Sequence, residues 1–69
     1  MSEPIKSATD AMRIGRQAAD EAGLMFYVVS GARKEDDKWV VRVTSATGIY
    51  EAVIASTSGE VTEWKLAKI

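Results

Sequence analysis

The sequence predicts an α+β domain in which one N-terminal helix packs on an antiparallel β-meander of three to four strands. Three observations predict it. An alanine-rich amphipathic segment comes first and stops at Gly23. Two β-prone runs, Lys38–Ser45 and Ile49–Ser56, flank a Thr47-Gly48 turn, and Ser58-Gly59 leads into a third run. Short glycine turns between β-rich runs join neighbouring antiparallel strands.

Residues 1–6 read as a lead-in to a domain spanning 1–69. Ser7 is the expected N-cap, with Asp10 in the first turn, where acids are favoured. Pro4 offers an alternative, earlier start as a first-turn proline. The helix should run to about Ala22, with Gly23 as its left-handed stop. Ala8, Ala11, Met12, Gly15, Ala18, Ala19 and Ala22 fall on one face at the 3.6-residue period, with Ile14 on its flank. Such small residues let the helix axis sit close to what it covers. Gly15 therefore reads as a close-packing position against a sheet rather than a ligand approach point, since glycine costs about 1 kcal/mol in a helix interior.

The first strand is expected over Leu24–Ser30 or slightly beyond. Leu24 to Val29 is continuously apolar, which implies burial on both faces, or one face in the core and the other in an interface. Arg33 to Lys38 then reads as a charged hairpin tip; Glu35, Asp36 and Asp37 lack the ordered spacing of a calcium loop. In the second strand, Trp39, Val41 and Val43 alternate with Val40, Arg42 and Thr44. In the third, Tyr50, Ala52 and Ile54 should face the helix, because Glu51 belongs outside. The fourth strand is Val61–Lys68, with Trp64 and Leu66 sharing a side. The expected core is Ala11, Met12, Ala18, Ala19, Val28, Trp39, Val41, Val43, Tyr50, Ile54, Trp64 and Leu66.

Composition narrows the chemistry. A chain of 69 residues is one domain near the lower size limit for a self-sufficient core. It has no cysteine, hence no disulfide or thiolate metal site, and no histidine, hence neither the commonest general base nor a Ser-His or Cys-His nucleophile pair, although carboxylates and lysines remain. No catalytic residue, metal site or cofactor is expected, and the chain does not read as an enzyme. A net charge of −1 with mixed signs argues against a dedicated nucleic-acid binder. No apolar run approaches a membrane span, and residues 1–6 lack the apolar centre of a signal peptide. As given, the chain reads as cytoplasmic; an envelope or secreted origin stays open, because a removed signal leaves no trace.

One helix covers only one face of a four-stranded sheet. The expected protein-binding surface is therefore the other face, with Val40, Ile49, Val53 and Ala55, engaged by a protein partner or a second copy. The alternative is a small-ligand or nucleic-acid site built on the sheet aromatics Trp39, Tyr50 and Trp64.

The helix Ala8–Ala22, Trp39-Val40-Val41-Arg42-Val43, Gly48 to Ile54 and Ser58-Gly59-Glu60-Val61 together resemble the PepSY domain, found in propeptides of thermolysin-type metalloproteases and in many envelope proteins. Ala55 stands where that family often has Asp, and Ser58 where it has Thr. The resemblance implies a helix on a meander, with a similar outline in cystatin-like domains. It also implies a non-catalytic binding or regulatory module that restrains a peptidase.

Overall fold

The computed structural model describes residues 7–68; the expected lead-in lies outside the described residues. The helix α1 spans Ala8–Glu21 and the strands are β1 Tyr27–Glu35, β2 Lys38–Ser45, β3 Gly48–Ala55 and β4 Val61–Lys68. The strands form one antiparallel sheet in the order β1-β2-β3-β4, which leaves β1 and β4 as its edges.

Local chemistry explains the boundaries. The Ser7 hydroxyl accepts from the Asp10 amide at 3.3 Å, so Ser7 is the N-cap. Ala22 caps the other end, and Gly23 turns the chain away at φ +85°. β2 and β4 match the sequence expectation to the residue, and β3 begins and ends one residue early.

β1 departs from expectation. It begins three residues later than the apolar run and continues through Arg33, Lys34 and Glu35. The charged hairpin tip shrinks to Asp36-Asp37, with Asp36 at φ 54°. Tyr27 accounts for the late start: its hydroxyl donates to Oδ1 of Asp20 at 2.6 Å and lies 3.3 Å from the Arg16 carbonyl oxygen. That contact fixes the strand's first residue under the last turn of α1. The backbone of Leu24, Met25 and Phe26 is spent in reaching it.

The core lies between α1 and the inner sheet face. Ala11 and Ala19 meet Val41, Val43, Ala52 and Ile54, all fully buried, with Ile14, Leu24, Tyr27, Val29, Ala32, Trp39, Tyr50 and Trp64 around them. Gly15 is buried directly over Val41. Val28 corrects the expected core, since it is 68% exposed. Register explains this: Val29 pairs with inward-facing Val43, and Val28 pairs with exposed Thr44. α1 lies chiefly over β1 and β2, so Leu66 on β4 stays 47% exposed rather than in the core.

Candidate interaction surface

The register brings the four expected surface residues onto the face away from α1. Val40 pairs with Val53, Thr44 with Ile49, and Lys38 with Ala55. Their exposure is small: Val40 and Val53 are each 5% exposed, and Ile49 and Ala55 are half-buried. Charged side chains share this face with them. The Glu51 side chain is 12% exposed, and its carboxylate lies 3.6 Å from the Arg42 guanidinium and 3.9 Å from that of Arg33. Arg33 also pairs with Glu35, and this hydrogen bond holds the Glu35 carboxyl below the usual range. Arginine stems cover apolar surface while their heads stay in water. The outer face thus presents charge beside a buried valine pair.

The candidate aromatics occupy the opposite, helix-covered face. Trp39, Tyr50 and Trp64 all pack against the core. Tyr50 and Trp64 stack on each other with centroids 5.2 Å apart and planes 10° from parallel. That pair lies on β3 and β4, which α1 covers less than it covers β1 and β2. Among the described residues, Nε1 of Trp39 is enclosed without a hydrogen-bond partner.

Exposed apolar surface concentrates where the chain enters β1. Met25 is 83% and Phe26 77% exposed, and Val28 adjoins them on the edge strand. Together with Tyr27, Thr44, Ser45 and Ala46 they border a shallow depression of about 460 Å³. Edge strands of monomeric proteins usually carry charge that blocks further pairing. β4 does so with Glu63, Lys65 and Lys68. The first half of β1 does not: Ala22 to Ala32 is the longest run of the chain without a charged residue. That run is the sequence signal for this surface. Its apolar residues suggested core or interface, and the edge position of β1 places one side of it in the open.

A second concavity of about 270 Å³ lies further along β1, lined by Ser30, Gly31, Ala32, Arg33, Val40 and Arg42. It exists because a bulge interrupts the β1–β2 register between Val29 and Gly31, and because Gly31 has no side chain. A β-carbon built at Gly31 meets nothing within 4 Å.

Other chemistry is sparse. Among the described residues, no group of three or more acidic, histidine or cysteine side chains could hold a metal ion. No described helix is long and apolar enough to cross a membrane. No family model matches the chain, and neither the curated proteins nor the solved structures give a significant match.

Proposed function

We propose that this chain is a non-catalytic protein-binding module of the PepSY-like kind, working through the start of β1. The observation that carries this reading is the contiguous exposure of Met25, Phe26 and Val28 where the chain enters the edge strand β1, within a run that carries no charged residue. Large apolar side chains gathered on one exposed edge are a feature of docking surfaces. The PepSY resemblance points the same way, toward a module that acts by contact, with a peptidase as the partner it implies.

A photo-crosslinking amino acid at position 26, introduced in the native host, tests the reading. A discrete adduct that disappears when Val28 is also changed to Lys is the expected result. Illumination that yields no adduct at position 26 overturns it. A thermolysin-type peptidase from the same source, assayed with and without the chain, tests the peptidase role. Slowed hydrolysis supports that role, and an unchanged rate removes it.

A further inference from the structure

Resting on that reading, we propose that the partner at β1 is a second copy of this chain. The two β1 strands add antiparallel across a two-fold axis, and Phe26 of each copy seats beside Gly31 of the other.

The two sheet edges differ, and the difference selects the pairing. A β1 edge added to the β4 edge of another copy would set the uncharged run against Glu63, Lys65 and Lys68. It would also leave free edges that propagate into a filament. Pairing β1 with β1 sets uncharged on uncharged and closes at two copies.

Register refines the fit. With Val28 opposite its symmetry mate, Tyr27 stands opposite Val29, Phe26 opposite Ser30, and Met25 opposite Gly31. Arg33 then falls opposite Gly23, beyond the apolar stretch, so the paired run 24–32 contains no charged residue. Val28 lies on the outer face, opposite Thr44, and strand alternation carries Phe26 to that face once the segment is extended. The concavity beside Gly31 lies on the same face, with Val40, Arg33 and Arg42 in its lining. Its volume of about 270 Å³ admits a phenyl ring. Two guanidiniums beside that ring add cation–π attraction.

The area is adequate. Met25, Phe26 and Val28 leave roughly 400 Å² of apolar side chain open on each copy, close to the largest patch of an ordinary monomer. Two such patches plus two paired strand edges reach the ~1,000 Å² that separates specific interfaces from incidental ones.

The test is sedimentation equilibrium of the whole chain over about 1 μM to 1 mM, the range in which a modest interface dissociates. Wild-type protein should show a monomer–dimer equilibrium. Phe26→Ser removes the inserted group, and Gly31→Leu fills its seat. Each should raise the dimer dissociation constant at least tenfold. Both positions face open space, so circular dichroism should show both variants folded. Leu66→Ser, at the exposed β4 position, should leave the equilibrium unchanged. A wild-type monomer throughout overturns the inference, as does a Gly31→Leu protein that dimerises like wild type. The cross-link at position 26 separates this failure from failure of the binding reading. An adduct to a different protein sinks the second copy and keeps the module, whereas no adduct sinks both.

Discussion

A β-carbon placed on Gly15 would stand 2.5 Å from Cγ1 and 3.1 Å from Cβ of Val41. The helix backbone therefore rests directly on a sheet valine that is itself fully buried. Val41 is β-branched, with little freedom to rotate away. The small-residued face of α1 is what permits this approach, and it sets the distance between the two layers.

Gly15→Ala consequently sets two effects against each other. The substitution gains about 1 kcal/mol of helix propensity. It also forces an overlap that the buried valine cannot relieve, at about 1–3 kcal/mol for overpacking. We expect net destabilisation of about 1 kcal/mol, read from the urea midpoint. Adding Val41→Ala should recover part of the loss caused by Gly15→Ala, measured against Val41→Ala alone. Independent, additive losses would show that the contact is not the cause.

Among the described residues, Ile54 is the largest fully buried side chain. Truncation to alanine should cost about 2–5 kcal/mol. A domain of this size has a total stability on the order of 5 kcal/mol. Ile54→Ala should therefore lose a large share of its stability, read as a much lower urea midpoint by circular dichroism. Leu66→Ala, on the half-covered β4, should stay folded.

Tyr27 should ionise above the ordinary tyrosine range. Its hydroxyl donates to the Asp20 carboxylate, and that bond holds the phenol proton; nearby negative charge adds to the effect. A folded-state pKa raised above the unfolded value contributes stability that is complete below the unfolded pKa. That contribution fades as pH rises through the folded pKa. Carbon-13 titration of labelled tyrosine should show the shift, and Asp20→Asn should move it back. A Tyr27 titration unchanged by Asp20→Asn would disprove the linkage.

Glu35 behaves in the opposite sense. The hydrogen bond from Arg33 depresses its pKa, so its contribution is present above the unfolded carboxylate value and is lost as pH falls through the folded one. Arg33→Gln should return the Glu35 titration toward the ordinary range by NMR. The same variant removes the 3.9 Å contact to Glu51 and keeps that from Arg42; the Arg33 end of the lost pair is more than half exposed, and pairs open to water contribute up to about 1 kcal/mol. Any stability change should therefore be small and should shrink in high salt.

Trp39 and Trp64 pack against the core, and Tyr50 stacks on Trp64. Their fluorescence should be blue-shifted, shielded from iodide and unaffected by added nucleotides or sugars. Emission that moves with such a ligand would favour the aromatic-binding alternative instead.

Local chemistry made much of this architecture readable. The hydroxyl of Ser7, the glycine after Ala22 and the turns around Gly48 and Gly59 act on their immediate neighbours, so they mark boundaries in one dimension. Alternation along Lys38–Ser45 and Gly48–Ala55 correctly divided Val41, Val43, Ala52 and Ile54 from Val40, Arg42, Glu51 and Val53, because strand side chains alternate strictly. Boundaries failed at β1, where apolar character extended three residues ahead of the strand and charge did not end it. There a tertiary contact between Tyr27 and Asp20 decided the start, and pairing with Lys38, Trp39 and Val40 carried Arg33, Lys34 and Glu35 into the sheet.

The sequence by itself determined the order of the elements, the two ends of α1 and the phase of the two central strands. Each depends on residues within a turn or a strand of one another. The tertiary structure alone decided that β1 is an edge, that Val28 faces outward, and that Glu51 draws Arg33 and Arg42 together on the face where Val40 and Val53 are nearly buried. Those outcomes depend on which strands become neighbours and on how far long side chains reach across them. Such distances are not written along the chain. Of the apolar surface expected on the outer face, Val40 and Val53 are nearly buried, and the open apolar surface stands at Met25, Phe26 and Val28.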